Sequence, residues 1–318
     1  MIGDFEIGDF EIGDFEIAES CCGATVARSV VTAVLAASVL STVTLSALAG
    51  LGLVPFRHST ASVSATLATC VTPAAYTFSI WAVIYTALVL IVMYAIALLF
   101  LKVGEVKAWR LGGAVPTSSL LTLVISLNLI VGWLFAWDAI DVTGSSIILW
   151  LIAVSSGIAV SLSANSFAKD APSLYKKSKF HFWSGILVIN GLALYNTWTA
   201  IAAIISRNIF YEYEIDLNSN TICLFELIIL LALFVGWFIL ENTILILYAN
   251  PLIIHNMVLL WAAVGIYIEQ KDLASTEELT LMIITIATAS VLIVTRIVIL
   301  LYRNKNNAIY NNTAMVLE

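Results

Sequence analysis

Charged residues are scarce in this sequence. Only 14 Lys and Arg and 21 Asp and Glu occur in 318 residues, and hydrophobic residues make up 61% of the chain. The mean hydropathy is +1.01. A soluble globular domain has about a quarter of its residues charged, so the composition excludes that class and predicts a polytopic membrane protein. The lack of a basic domain also excludes nucleic-acid binding.

Proline, cysteine and histidine are also rare, with five, four and three residues. The prolines lie between the hydrophobic runs or at their starts, where they do not break a helix. The histidines fall on separate loops and runs, which argues against a metal site. Cys70 and Cys223 are expected near the same membrane surface and could meet as a disulfide, although two cysteines alone are weak evidence.

Motifs of the common enzyme classes are missing. The sequence contains no HExxH, no GxSxG and no phosphate-binding GxxxxGK[ST]. We therefore predict that the protein is not an enzyme, requires no cofactor and binds no metal.

Long hydrophobic runs, by contrast, are abundant. A helix needs roughly 20 residues to cross a bilayer, and runs of about that length cover residues 26–54, 76–101, 118–138, 145–167, 182–206, 222–248, 252–269 and 279–302. The sequence therefore predicts an all-α bundle of about eight transmembrane helices. Asn250 and Pro251 leave almost no loop between the sixth and seventh runs, so a re-entrant hairpin there remains an alternative.

The distribution of Lys and Arg predicts the orientation of these helices. Ten of them fall on the side of the N-terminus, and only Arg57, Arg207 and Lys271 fall on the opposite side. Because cytoplasmic loops retain basic residues, we predict that both termini are cytoplasmic. Nothing in the sequence identifies the membrane.

The N-terminus carries a perfect five-residue repeat. Residues 2–17 contain IGDFE three times, and they make residues 1–25 an acidic, low-complexity cytoplasmic tail. A period of five fits neither a helix nor a strand, so we expect disorder. The repeat is either an acidic docking segment, a neutral expansion or an error in the predicted start of the gene.

Aromatic and amide side chains cluster in the half of the bundle that is opposite the N-terminus. Phe78, Trp81 and Tyr85 share one helix face at spacing i, i+3, i+7. Asn190 could supply a hydrogen bond below them. A pocket for a flat hydrophobic ligand is one interpretation, and an interfacial aromatic belt is the other. The candidate ligand-binding residues are Tyr76, Trp81, Tyr85, Asn128, Trp133, Trp137, Tyr195, Asn196 and Trp198.

A second cluster contains charged groups within the last three runs. Glu241, His255 and Arg296 are expected at similar depth, in the third of the membrane nearest the termini. They form either a structural ion pair with a nearby imidazole or a charge relay that couples protons to solute movement. The second interpretation makes the protein a proton-coupled secondary transporter of a small polar or ionic solute.

Three segments carry a resemblance to a known family. TPAAYTFSIWAVIY at residues 72–85, LNLIVGWLFAW at 127–137 and LALYNTWTAIAAI at 192–204 resemble successive signatures of the TspO/MBR family. This family contains the tryptophan-rich sensory proteins and the translocator protein. WAAVGI at residues 261–266 resembles a motif of its longer, eight-helix branch. The resemblance covers about residues 26–270.

The resemblance implies a domain organisation and a function. A five-helix core would span residues 26–206, a three-helix extension 207–302 and a cytoplasmic tail 303–318. Relatives of the five-helix branch bind porphyrins or sterols in a pocket walled by tryptophans and often form homodimers. The resemblance thus implies a protein that binds, senses or carries a small hydrophobic ligand.

The resemblance also assigns residues to that pocket. Matched by motif position, the ligand residues are Trp81, Trp133, Trp137, Tyr195, Asn196 and Trp198. Two departures from the family pattern concern polar residues: Thr72 stands where relatives have the first of two prolines, and Asn196 and Thr197 interrupt the fifth-helix motif. Both imply a more polar pocket than that of porphyrin-binding relatives.

Overall fold

The computed structural model describes residues 12–217 and 219–305, and helices dominate this part of the chain. Short 3-10 turns cover Ala75–Ser79 and Ala108–Leu111. Strands β1, Lys102–Val103, and β2, Val106–Lys107, form an antiparallel hairpin. The α-helices are α1 Ile12–Leu51, α2 Thr60–Thr66, α3 Ile80–Phe100, α4 Thr117–Asp138, α5 Val142–Lys177, α6 Lys179–Tyr213, α7 Ser219–Asn242, α8 Ile246–Ala249, α9 Ile254–Gln270 and α10 Thr276–Lys305.

Within the described residues, seven helices are long and apolar enough to cross a membrane, judged by length and composition. They are α1, α3, α4, α5, α6, α7 and α10. The seventh run predicted from the sequence forms α9, which has 17 residues and is shorter than these seven. The structure confirms an all-α, polytopic membrane bundle.

Consecutive long helices alternate in direction. We call the side where α1 begins the N-terminal face and the other side the opposite face. Asp141 caps α5 by accepting a hydrogen bond from the Gly144 N–H (2.8 Å), and Ser178 caps α6 by accepting one from the His181 N–H (3.3 Å). These abrupt turns make α5 the antiparallel neighbour of both α4 and α6, and its contacts with these two helices are the most extensive among the described residues.

The remaining long helices surround this centre. Helix α1 packs on α4, and α3 packs on α1 and α6. Helix α9 packs on α6 and α10, while α7 packs on α6 and α10. Helices α7, α9 and α10 thus cover one side of the five long helices that precede them.

Part of the N-terminal repeat is helical, although the sequence predicted disorder there. Helix α1 begins at Ile12, within the third copy of IGDFE, where the sequence predicted disorder. No proline separates this copy from the first span, so a helix nucleated in the span can extend back through it. Residues 1–11 lie outside the described residues.

Two helix ends differ from what the sequence pattern indicates. Pro172 does not precede a helix but lies inside α5, because this helix continues for ten residues beyond the hydrophobic run that predicted it. Thr72 does not cap α3; its hydroxyl accepts a hydrogen bond from the Thr69 N–H (2.8 Å). The first turn after it is a 3-10 turn, and α3 itself begins only at Ile80.

The link between α7 and α9 lies within the depth of the bundle. Asn190 of α6 donates to the Pro251 carbonyl (2.8 Å) and accepts from the Ile253 N–H (3.1 Å). Asn190 lies eleven residues after the start of α6, which is about 16 Å along the helix axis. The interrupted helix therefore leaves backbone groups at a depth where lipid offers no hydrogen bonds.

Two connections tie α7 to the core near the opposite face. Cys223 at the beginning of α7 forms a disulfide with Cys70, which precedes α3. Arg207 of α6 donates from Nε to Glu226 Oε1 of α7 across 2.9 Å, and this carboxylate is buried. The sulfur atoms also lie within 4.8 Å of the Glu278 carboxylate, but a disulfide leaves no thiolate to bind a metal.

Candidate functional site

A cavity of about 580 Å³ lies between α1, α3 and α4, in the half of the bundle near the opposite face. It is mostly apolar, and its wall contains three of the aromatic residues predicted from the sequence. The lining residues are Val43, Ser46, Ala47, Gly50, Thr60, Phe78, Trp81, Ala82, Tyr85, Thr86, Val89, Leu90, Trp133 and Leu134.

The helical spacing of α3 and of the turn before it produces one wall of this cavity. Phe78, Trp81 and Tyr85 all line it, as their i, i+3, i+7 spacing predicts. The rings of Trp81 and Tyr85 are stacked, with centroids 5.4 Å apart and an interplanar angle of 21°. Ala47 and Gly50 of α1 face this wall, and their small size leaves the space open.

Helix α4 supplies the second aromatic wall. Trp133 lines the cavity, and Trp137 stacks behind it at 5.7 Å and 22°. Trp137 donates from Nε1 to the Thr60 carbonyl (3.2 Å), which fixes its ring beside α2. Aromatic rings from separate helices therefore bound the cavity, with Trp137 supporting Trp133 from behind.

Hydrogen-bonding groups in the cavity are few. The Tyr85 hydroxyl donates to Ser46 Oγ across 2.6 Å, which joins α3 to α1. The Trp133 indole nitrogen is buried and has no acceptor among the described residues. A buried N–H without a partner is costly, which makes this group a candidate donor to an acceptor on a bound ligand. None of the lining residues is charged.

The predicted residues of α6 do not line this cavity. Tyr195 is fully buried between helices, with its hydroxyl 2.8 Å from Ser126 Oγ of α4. Asn196 donates to the Ala153 carbonyl and to Ser156 Oγ of α5, both at 2.9 Å. Trp198 is buried in the hydrophobic core. Helix α6 is the centre of the bundle, so these three side chains face neighbouring helices.

Two further predicted residues also lie away from the cavity. Tyr76 packs edge-on against Trp261 of α9, with ring centroids 5.3 Å apart. Asn128 donates to Ser38 Oγ of α1 (3.1 Å) and to the Val124 carbonyl (2.8 Å). The amide of Asn190, which was expected below the pocket, instead holds the link before α9.

The WAAVGI segment docks the C-terminal helices on the start of α3. Trp261 donates from Nε1 to the Thr77 carbonyl (3.1 Å), and the Gly265 carbonyl accepts from the Ala74 N–H (3.0 Å). A Cβ at Gly265 would overlap the Thr77 side chain, so only glycine permits this approach. The two sequence motifs are therefore in direct contact.

The charged cluster of the last three spans does assemble. Arg296 Nε lies 3.5 Å from Glu241 Oε1, and Trp237 Nε1 donates to Glu241 Oε2 (3.1 Å). The indole of Trp237 also packs on the His255 ring at 4.6 Å. Glu241 Oε1 and His255 Nδ1 have no hydrogen-bond partner among the described residues.

Most N–H groups of Arg296, however, donate hydrogen bonds to the interrupted helix between α7 and α9. Its guanidinium donates to the carbonyls of Leu252 (3.0 Å) and Ala249 (2.6 Å) and to Asn242 Oδ1 (2.6 Å). The side chain is 1% exposed. Arg296 thus donates to carbonyls at the break between α8 and α9, a role that the sequence did not reveal.

Comparison with known proteins gives one match. The family model described as TSPO-like protein matches residues 32–300, which include all the long helices from α1 to α10 at least in part. No curated protein and no solved structure matches the chain.

Proposed function

Because the chain belongs to the TSPO-like family, we propose that it binds a small, flat, hydrophobic ligand in the cavity between α1, α3 and α4, as a sensor or a carrier. The observation that carries this proposal is the pair of aromatic walls formed by Trp81 with Tyr85 and by Trp133, behind which Trp137 stacks. Offset stacking on such walls favours planar molecules. The volume of about 580 Å³ also falls within the range of ligand pockets.

The lining of the cavity favours a neutral ligand. It contains no cationic side chain, so a porphyrin with ionised carboxylates would leave its charges unpaired unless they project out of the cavity. A sterol-like or esterified tetrapyrrole ligand with one acceptor for the Trp133 N–H fits the lining better. The position of the cavity within the spans also implies that the ligand enters from the bilayer.

The proposal includes the membrane environment, the orientation and the oligomeric state of the protein. It is a multi-pass membrane protein whose helices contact the lipid bilayer. We propose that it has no enzymatic activity, that both termini are cytoplasmic and that it forms a homodimer.

Tryptophan fluorescence tests the ligand site directly. Purified protein is titrated with a porphyrin ester and, separately, with a brominated sterol, both of which quench indole fluorescence on contact. We expect saturable quenching in the wild type. Ala47→Phe, which fills the cavity from α1, should remove the saturable component. Ala37→Phe is the control, because it adds the same ring to an exposed position of the same helix outside the cavity.

A different result would reject the site. Equal saturation curves for Ala47→Phe, Ala37→Phe and the wild type would show that the ligand binds elsewhere. The absence of saturable quenching in the wild type would leave the aromatic residues as an interfacial belt.

A second candidate function is proton-coupled transport. The observation in its favour is the interrupted helix between α7 and α9, with Glu241, His255 and Arg296 beside it. Broken helices within the membrane frequently form the substrate sites of transporters. Unpartnered atoms on Glu241 and His255 provide places for a proton.

Proton uptake into proteoliposomes tests this alternative. An imposed membrane potential drives uptake, and an entrapped pH-sensitive dye reports it. Transport predicts an uptake that Glu241→Gln abolishes and that Glu105→Gln, an exposed control in the β-hairpin turn, retains. Uptake that is unaffected by Glu241→Gln would eliminate this function.

A further inference from the structure

Arg28 is a buried cation near the start of the first span. Its side chain lies at the N-terminal face, five residues after Gly23, where the span begins. It is only 3% exposed. Its one hydrogen bond among the described residues runs from Nη1 to Thr117 Oγ1, across 3.3 Å.

The rest of the guanidinium has no partner among the described residues. Nε and Nη2 are buried and donate to no group in the described part of the chain. The ion pairs found there involve Arg207, Arg296 and His58, and none includes Arg28. A buried charge without a counter-ion is strongly destabilising, so a protein that retains one normally has an anion to pair with it.

Arg28 also lies against a second positive feature. Thr117, its hydrogen-bond partner, is the first residue of α4, a helix of 22 residues. Pro116 precedes it, and no side chain caps this helix end. The first N–H groups of a helix have no intrahelical acceptor, and the helix dipole concentrates partial positive charge there. Ser118 is exposed, so this helix end is open to its surroundings.

Two positive features that converge without an acceptor between them indicate an anion that completes the site. We propose that Arg28 and the N-terminus of α4 bind a phosphate oxyanion. The guanidinium would supply paired N–H donors, which match the oxygens of a phosphate, and the first turn of α4 would supply backbone donors.

The depth of the site favours a phosphate that belongs to a lipid headgroup. Arg28 lies about 8 Å along α1 from the start of the span, and α4 begins at the same face. Headgroup phosphates occupy this level of a bilayer. The neighbouring hairpin also carries Lys102 and Lys107, which attract anions to this face. Free phosphate offers the same oxygens without the acyl chains.

Lipid binding measured by native mass spectrometry tests the proposal. Delipidated protein is titrated with phosphatidylglycerol and, as a matched control, with diacylglycerol of the same acyl chains, which lacks the phosphate. We expect a specifically bound phosphatidylglycerol and no comparable diacylglycerol. Arg28→Gln should weaken the binding at least about tenfold, because charge-assisted hydrogen bonds are lost.

Two further variants keep this test informative. Arg57→Gln removes an exposed arginine near the opposite face and should bind as the wild type does. Arg28→Lys keeps the positive charge but lacks the paired N–H donors of the planar guanidinium. It should fold even if Arg28→Gln does not, and it should bind phosphatidylglycerol with intermediate affinity.

The source of the phosphate is resolved by a parallel measurement. The unfolding temperature of each variant is recorded in sodium phosphate and in sodium chloride of equal ionic strength. Protection of the wild type by phosphate, lost in Arg28→Gln, together with no specific lipid binding, would assign the site to soluble phosphate. If Arg28→Gln and the wild type bind lipid equally and respond equally to phosphate, the proposal is wrong.

Discussion

The hydroxyl of Tyr94 on α3 lies 2.6 Å from Nδ1 of His181 on α6. The other ring nitrogen of His181, Nε2, lies 3.0 Å from the Gly112 carbonyl, which can only accept. The partners therefore assign the hydrogen of a neutral ring to Nε2 and make Nδ1 the acceptor for Tyr94. His181 is 2% exposed, so it joins α3, α6 and the loop before α4 within the protein interior.

The loop clamped by His181 should not tolerate a side chain at Gly112. This residue has φ +79°, and a Cβ would overlap the Asp170 carboxylate, which accepts the Gly113 N–H (2.7 Å). We expect Gly112→Ala to lose more than the roughly 1–2 kcal/mol that a left-handed backbone alone costs a non-glycine residue. The free energy of unfolding in detergent, from denaturant titration, measures the loss.

Gly104→Ala is the matched control for this prediction. Gly104 also has a positive φ, of +62°, but nothing lies within 4 Å of its Cβ position. It should lose only the backbone contribution. Equal losses in the two variants would show that the contact with Asp170 does not matter.

Arg296 should hold the interrupted helix between α7 and α9 in place. Arg296→Gln removes donors from the carbonyls of Ala249 and Leu252 and leaves them buried. Removing one partner from a buried charged network typically costs about 3–5 kcal/mol. Hydrogen exchange of residues 243–253 should become faster, and the unfolding temperature should fall.

Arg303→Gln provides the comparison for Arg296. Arg303 makes longer contacts, 3.5 Å to Asn250 Oδ1 and 3.4 Å to the Asn242 carbonyl. Its replacement should change stability by less than about 1 kcal/mol. If exchange in residues 243–253 is as slow in Arg296→Gln as in Arg303→Gln, the carbonyl contacts of Arg296 are not what holds the link.

The disulfide between Cys70 and Cys223 should stabilise the docking of α7. It closes a loop across 153 positions of sequence. The chain-entropy relation gives an upper limit of about 5 kcal/mol for such a loop, and less is expected where the unfolded helices stay in the detergent or lipid. Cys70→Ser and a reducing agent should lower the unfolding temperature equally and not additively.

Cys21→Ser combined with Cys22→Ser controls for the other thiols of the chain. This variant should keep the stability of the wild type and its sensitivity to reduction. An additional effect of the reducing agent on Cys70→Ser would point to a different bond.

The indole N–H of Trp133 should contribute to ligand affinity. Trp133→Phe keeps an aromatic wall but removes the unpartnered donor. A ligand with an acceptor in the cavity should bind about 5- to 15-fold more weakly, since a neutral hydrogen bond contributes about 1–1.5 kcal/mol. Titration calorimetry or fluorescence quenching measures the change.

Trp183→Phe is the control for this substitution, because Trp183 is exposed on α6 and does not line the cavity. Its affinity should equal that of the wild type. An unchanged affinity in Trp133→Phe would mean that the bound ligand makes no hydrogen bond to this indole.

The sequence by itself determined the membrane class, the number and order of the long hydrophobic segments and the family. These follow from the length and hydropathy of each run, which are local properties of the chain. The aromatic face formed by Phe78, Trp81 and Tyr85 was predictable for the same reason, because helical spacing alone places them together.

Only the tertiary structure decided which of these faces meet. Helical spacing says nothing about the rotation of a helix against its neighbours, so the sequence could not show that Tyr195 and Trp198 face the core while Trp133 faces the cavity. The partners of Arg28 and Arg296 lie 89 and at least 44 residues away along the chain. Such contacts depend on how whole helices pack, because the free energy of packing belongs to pairs of surfaces and cannot be read from either sequence segment alone.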